Sequence, residues 1–360
     1  MSSRPDVSVV IPTKNRADFL PDAVQTALAQ EGVDVEVIVV DDGSDDETPA
    51  LLAAAGADPR VRTVRFDPSR GQCAARNAGI DAARGAWIAF LDDDDLWAPD
   101  KLRLQLEAAG YAGATWAYCG VLLVSPEGDV VRASGPPDPA TVLPELLRAN
   151  VVQAGASTVV VDAERLRALG GFEDGLSTPW DLWIRLAADG PAAAVNEPLA
   201  AYRRHSSSFV TASRPTAIAE ARRVAERHRL LSREHGVEFD LAHYDRWLDS
   251  ELVRALRTQA ALRLDVGERL DAARLQLRVV ARTRSWPDVR RLLRIAFGET
   301  ARRAFRRARP PAQAGEREPI PAWLAPYLEK RGCVRPSSSS TPSAGTLGTK
   351  SSLAKNTLNP

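Results

Sequence analysis

Four β-branched runs alternate with helix-patterned segments over the first ninety residues or so, and that alternation restricts the chain to parallel βαβ units. Residues 7–12 (VSVVIP), 35–40 (VEVIVV), 61–66 (VRTVRF) and 86–91 (AWIAFL) read as strands. Between the first two, residues 17–30 place Phe19, Leu20, Val24, Ala27 and Leu28 on one side of a helix. Asp45 or Asp46 is positioned to cap a second helix through residue 55, and residues 72–84 form a third, ended by Gly85. Crossovers of this kind are right-handed and pair the strands in parallel. The strands show little polar alternation, as expected when helices cover both faces of a sheet.

In such sheets ligands bind beyond the carboxyl ends of the strands. Each of the four ends here is polar: PTKNR (12–16), DDGS (41–44), DPSRGQCAARNAG (67–79) and DDDD (92–95). Taken alone, four aspartates in a row read as a solvated turn, and DDGS is ordinary turn chemistry. Their recurrence at the ends of successive strands points to one acidic edge. Like charges this close raise one another's proton affinity unless something positive lies among them. Paired carboxylates at a strand end suit a hard divalent cation, Mn²⁺ or Mg²⁺, with phosphate oxygens completing its shell. Arg76 reaches the same edge and can bind a phosphate oxygen, while Asp42 can accept hydrogen bonds from a base or a ribose hydroxyl. No GxGxxG follows the first strand and no GxxxxGK[ST] occurs, which disfavours dinucleotide and P-loop sites.

Other features bound the remainder. Formal net charge is zero, so nothing attracts the chain as a whole to nucleic acid. Cys73, Cys119 and Cys333 are far apart, which argues against a disulfide framework and for a reducing compartment. The uncharged stretch 108–125 carries Gly110, Gly113 and Gly120 and reads as a buried strand and turn, not a membrane span. More strands are expected at 118–124 and 159–161, and a helix from Pro179 or Trp180. Residues 215–305 look entirely helical, and the Ser-rich tail from Pro336 lacks the apolar content of a folded segment. The expected division is 1–212, 213–310 for a helical C-terminal region, and 311–360 for a linker and disordered tail.

The segments VSVVIPTKNR, VEVIVVDDGSDDET, RGQCAARNAGIDAARGAWIAFLDDDDLWAPDKL and GGFEDGLSTPWDLWIRLA resemble the family 2 inverting glycosyltransferases of the GT-A fold, over roughly residues 7–205. The resemblance implies an α/β, Rossmann-like, mostly parallel sheet with helices on both faces, followed by the helical region. It also implies a nucleotide-diphosphate sugar donor and a glycan or lipid-linked acceptor. Position by position, Pro12 and Thr13 fall near the nucleotide base, Asp42 on the base, and Arg76 on the nucleotide. Asp92 and Asp93 fall within the donor-binding part of the DxD motif and Asp94 on the metal, with Asp95 a bystander. His205, in YRRHSSS, resembles a histidine that approaches the metal or diphosphate. The family's Glu-Asp pair before WDLW is replaced by Thr178 and Pro179. Asp181 is then the expected catalytic base, with Glu173 and Asp174 as alternatives and helix capping as its competing role. That replacement also keeps open a catalytically impaired nucleotide-sugar-binding protein. A sugar nucleotidyltransferase is disfavoured, because PTKNRADF lacks the glycine-rich loop.

The implied location is cytoplasmic, with peripheral contact at the inner face of the membrane. Residues 282–309 hold ten arginines against Asp288 and Glu299, interleaved with Leu292, Leu293, Ile295, Phe297 and Phe305. They read either as an ordinary Arg-rich helical face or as a basic amphipathic segment on an anionic membrane.

Overall fold

The computed structural model describes residues 4–125, 128–176, 178–204, 214–265, 267–305 and 319–329. Its strands are β1 (Val7–Thr13), β2 (Val35–Asp41), β3 (Val61–Arg65), β4 (Trp87–Phe90), β5 (Leu96–Trp97), β6 (Trp116–Val124), β7 (Val130–Ser134), β8 (Val159–Asp162) and β9 (Ala192–Arg203). All belong to one sheet, in the order β3-β2-β1-β4-β8-β6-β9-β5, with β7 added beside β6. The first four pair in parallel, as their alternation with helices requires. Beyond β4 the sheet is mixed: β8 is antiparallel to both β4 and β6, β9 is parallel to β6, and β5 is antiparallel to β9. The sequence pattern predicts the parallel half. It does not reveal β5, β7 or β9. β9 begins with three alanines, residues of low strand propensity, and carries Pro198 at the point where its register with β6 shifts.

Alternate side chains enter opposite cores. Val7, Val9 and Ile11 face a layer built by α1 (Leu20–Leu28), α2 (Thr48–Ala55) and α4 (Lys101–Ala112). Val10, Ile38 and Val40 face a layer built by α3 (Gln72–Ala82), α5 (Val142–Leu146), α6 (Ala163–Ala168) and α7 (Trp180–Asp189). α3 lies so close to β1 that a Cβ on Gly79 would sit 2.2 Å from Val10 Cγ1. Only glycine allows that approach, and it sets the height of α3, hence of Arg76, above the sheet.

The helical C-terminal region comprises α8 (Arg214–Arg227), α9 (Arg229–Glu234), α10 (Leu241–Asp265), α11 (Arg269–Thr283) and α12 (Trp286–Phe305). Its apolar side chains are shared between two cores. Ala221, Val224 and Val237 are buried in the core under the sheet, whereas Val253, Leu256 and Val279 form a separate small core among α10, α11 and their neighbours. Within 311–360, expected to be linker and tail, residues 319–329 are folded. Leu324 and Leu328 on and before α13 (Ala325–Glu329) are buried against Leu96, Leu122, Val124, Val130 and Ala201. Among the described residues no helix is long and apolar enough to cross a membrane.

Candidate active site

The loops after β1 and β2 are bonded to each other. Asn15, in the left-handed region at φ 54°, accepts from the Asp45 amide at 2.9 Å, and its own amide donates to Ser44 Oγ at 2.9 Å. The amides of Arg16 and Ala17 donate to Thr48 Oγ1 and Asp46 Oδ2, both at 3.2 Å. This clasp sets Arg16 over the acidic turn, its Nε 3.8 Å from Asp93 and its Nη2 3.9 Å from Asp94. Pro12 and Thr13 end β1 beside β2, and the Asp42 amide donates to the Thr13 carbonyl at 2.8 Å.

Asp42 is buried. Its carboxylate accepts from Ser69 Oγ (2.6 Å), the Arg70 amide (2.6 Å) and the Gly71 amide (3.0 Å). A carboxylate has about four lone-pair sites, so one is left for a ligand. Asp42 thus holds the loop that leads into α3, and α3 carries Arg76. Arg76 is 1 % exposed, donates from Nη2 to Asp92 Oδ1 at 2.6 Å, and lies 5.3 Å from the Phe172 ring centroid. Its Nε and Nη1 are buried with no hydrogen-bond partner among the described residues. Two unmet donors on a buried guanidinium are costly unless a ligand answers them.

Asp92, Asp93 and Asp94 occupy a turn between β4 and β5, closed by an Asp95 amide to Asp92 carbonyl bond of 3.0 Å. A loop on β8 braces it: Ser157 Oγ accepts from the Asp92 amide at 3.0 Å and donates to Asp95 Oδ2 at 2.6 Å. Gly155, at φ +56°, would put a Cβ 2.9 Å from Asp92 Oδ2, so any larger residue there would displace the carboxylate. Arg203 on β9 donates to the Asp94 carbonyl at 2.5 Å and to Asp22 Oδ2 at 3.1 Å. Asp95 is wholly buried, bonded to Ser157 and the Arg203 amide, and serves as the turn's anchor. Burial, and then the Asp94 charge, push the Asp93 carboxyl up to about 8, against a lowering pull from Thr13 and Arg16. Thr13 Oγ1 faces it without a hydrogen bond of normal geometry. Burial likewise raises Asp92, opposed by Arg76 and aided by the Asp94 charge.

The acids outnumber the cations around them, and that imbalance fits an added divalent cation. Among the described residues no group of three His, Cys, Asp or Glu side chains is gathered as for an all-protein metal site. The arrangement fits a Mg²⁺-like ion held by one or two carboxylates and substrate phosphates. His205 lies outside the described residues.

Asp181, the expected catalytic base, is surrounded by cationic and imidazole groups. Asp181 is 1 % exposed in the first turn of α7. Its Oδ1 accepts from His228 Nε2 at 2.8 Å and faces Arg227 Nε at 3.1 Å, and its Oδ2 accepts from Arg185 Nε at 2.8 Å. Burial raises its pKa, but His228, Arg185 and Arg227 together hold it below its ordinary value. A carboxylate held in its charged form is a weak proton acceptor, and these contacts tie the start of α7 to Arg227 on α8 and to His228 before α9. Of the alternatives, Glu173 pairs with Arg227 Nη1 at 2.7 Å, whereas Asp174 is exposed and makes no hydrogen bond or ion pair among the described residues. The turn bearing both is fixed to α3 beside Arg76: Asn77 donates to the Phe172 carbonyl at 2.9 Å and accepts from the Phe172 amide at 2.8 Å.

Sequence reasoning missed Arg16, Ser157, Arg203 and His228. Arg16 had a signal, a cation at a strand end. The other three are contacts between segments far apart in the chain and left none.

The Glycosyl transferase family 2 profile matches residues 8–149. The putative teichuronic acid biosynthesis glycosyltransferase TuaG of Bacillus subtilis (strain 168) is 31% identical over 210 residues, 57% of this chain and 82% of TuaG. The chain belongs to glycosyl transferase family 2. The succinoglycan biosynthesis protein ExoO of Rhizobium meliloti (strain 1021) is 49% identical over 152 residues, 41% of this chain, and the chain spans only 43% of its length. In fold, this family 2 chain resembles S. aureus TarS 1-349, solved in complex with UDP-GlcNAc: TM-score 0.50, 16% identity, 82% of this chain and 88% of that one. The mixed sheet with helices on both faces is the GT-A arrangement.

Proposed function

We propose that this family 2 glycosyltransferase moves a sugar from a nucleotide-diphosphate donor to a hydroxyl of a glycan or lipid-linked acceptor, in polysaccharide synthesis of the kind named for ExoO and TuaG. One observation carries the reading. A buried arginine with two unanswered donors stands against a turn of three carboxylates, at the edge where Asp42 and Thr13 also converge. Such a site matches a diphosphate joined to a base and, beyond it, a sugar.

Arg76 Nε and Nη1 bind phosphate oxygens, and Asp42 spends its remaining lone pair on the base. Asp92 keeps Arg76 in place and meets the donor ribose with Asp93. Asp94 is the residue assigned to a divalent cation, Mn²⁺ or Mg²⁺, which supplies charge neutralisation to the leaving diphosphate when bound. Arg16 adds positive charge on the same side. Asp174 accepts the proton of the acceptor hydroxyl as its oxygen attacks the anomeric carbon, and a single displacement inverts the configuration. Asp174 is supported by its freedom and by the bolting of its turn to α3.

The test is release of nucleoside diphosphate from UDP-glucose, UDP-N-acetylglucosamine and GDP-mannose in the presence of Mn²⁺. Asp174→Asn is expected to lower turnover about 10²- to 10⁴-fold and to leave donor-induced thermal stabilisation intact. Stabilisation without turnover in the unsubstituted chain would favour the impaired, binding-only alternative. Undiminished turnover in Asp174→Asn would remove that residue from the mechanism.

A further inference from the structure

We infer that the outward face of α11, with the turn into α12, is a docking surface for an anionic bilayer. The reading deepens the proposed function, since a lipid-linked acceptor would be presented there, but its physical basis is separate.

α11 buries Ala272, Gln276 and Val279. The opposite stripe, at helical spacings of four and three, runs Leu270, Arg274, Leu277, Ala281 and Arg284, and the exposed Trp286 opens α12 two residues further on. Leu270 is 77 % exposed, Leu277 57 % and Trp286 60 %. The other large exposed side chains of the described surface fall one to an element, Leu51 on α2, Tyr111 on α4, Val131 on β7, Leu230 on α9 and Leu264 on α10, and such single ones need no explanation. Here Leu270 and Leu277 share one stripe set among arginines, and Trp286 follows just past its end. Residues 269–296 contain eight arginines against Asp271 and Asp288. Asp288 is buried and spent on Arg257, Thr283 and Ser285, so it does not temper the surface. Asp271 pairs with Arg274, and Arg282 lies 3.8 Å from Asp249. Arg269, Arg278 and Arg284 have no carboxylate partner among the described residues.

Charge complementarity selects the occupant. A two-fold contact with a second copy would set this arginine stripe against itself. Nucleic acid would satisfy the arginines but leave Leu270, Leu277 and Trp286 in water. A bilayer with anionic headgroups satisfies both, with guanidinium groups at the phosphates and leucine and indole side chains at the acyl boundary. The patch differs from the 282–309 segment singled out by composition, since it begins at Leu270 on the preceding helix.

The experiment is flotation of the full chain with vesicles of phosphatidylcholine alone and with phosphatidylglycerol added. Binding is expected only to the anionic vesicles and is lost at high salt. At roughly fivefold per arginine, Arg278→Gln with Arg284→Gln lowers the partition coefficient about twenty-five-fold. Leu277→Ser with Trp286→Ser lowers it at least tenfold at unchanged melting temperature, and nucleotide-induced stabilisation in solution is unaffected. Failure of the unsubstituted chain to float, or variants that float equally well, would overturn the inference. So would a dimer abolished by Trp286→Ser, or capture of duplex DNA in preference to vesicles. None of these outcomes touches the donor site, so the transferase reading stands or falls separately.

Discussion

Asp181→Asn separates an anchoring carboxylate from a catalytic one. The substitution keeps the volume and removes the charge that Arg185, Arg227 and His228 surround. Asp181 and Arg185 are largely buried, whereas Arg227 is nearly half exposed, so its share is screened and small. Breaking a buried pair costs about 3–5 kcal/mol, and the exposure of Arg227 places this one near about 3. For a folded unit of this size, 1 kcal/mol moves the melting temperature by roughly 2–4 °C, so a drop of about 6–12 °C is expected. Differential scanning fluorimetry at pH 7 measures it. The pH dependence follows from the lowered pKa. The folded-state pKa lies below its ordinary value, so the stabilisation is complete above the unfolded value and is lost as pH falls through the folded one. The gap between parent and variant should therefore close below about pH 4. Turnover assayed well below the variant's melting temperature should change little. A variant that melts with the parent yet loses about a thousandfold in turnover would refute the anchoring role and restore Asp181 as the base.

Two further outcomes follow from the same geometry. Asp94→Ala should remove the Mn²⁺-dependent part of nucleotide-induced thermal stabilisation while the free protein keeps its melting temperature. Asp95→Ala should instead destabilise the protein without ligand, because Asp95 holds Ser157 and the Arg203 amide. Lys101 is fully buried, donates to Gln105 Oε1 at 2.7 Å and lies 4.0 Å from the Trp97 ring centroid. Burial pulls its pKa from 10.5 down to about 8. Between those values the unfolded chain keeps a proton that the folded chain has released, so stability rises with pH. Urea unfolding should show the parent gaining up to roughly 3 kcal/mol between pH 7 and 10 relative to Lys101→Met. Equal pH dependence in the two proteins would show that Trp97 and Gln105 fully compensate the buried charge.

The parallel half of the fold was legible because each of its strands is a β-branched run and each crossover a helix of ordinary pattern. The polar residues at the strand ends followed from the same pattern, which is why Thr13, Asp42, Arg76 and the aspartate turn meet in space. The mixed half was not legible. β9 forms because β6 offers it a partner, and its alanines and Pro198 argue locally for something else. The surroundings of Asp181 were hidden for a related reason. Its neighbours in sequence place it at the start of a helix, but its chemistry is decided by Arg227 and His228, more than forty positions away. Ser157 and Arg203 were invisible on the same grounds.

The return of residues 319–329 to the sheet bears on how the protein can be cut. The excursion that leaves after β9 and runs through α8–α12 is followed by a strap whose Leu324 and Leu328 cover Leu122, Val124 and Ala201. A truncation anywhere in 306–318 would unroof that edge and leave its apolar side chains in water. Tyr327 also lies near Asp22, the residue that holds Arg203 and, through it, the backbone of Asp94. A minimal fragment must therefore shorten the helices internally and keep the strap, or it will lose support behind its own acidic turn.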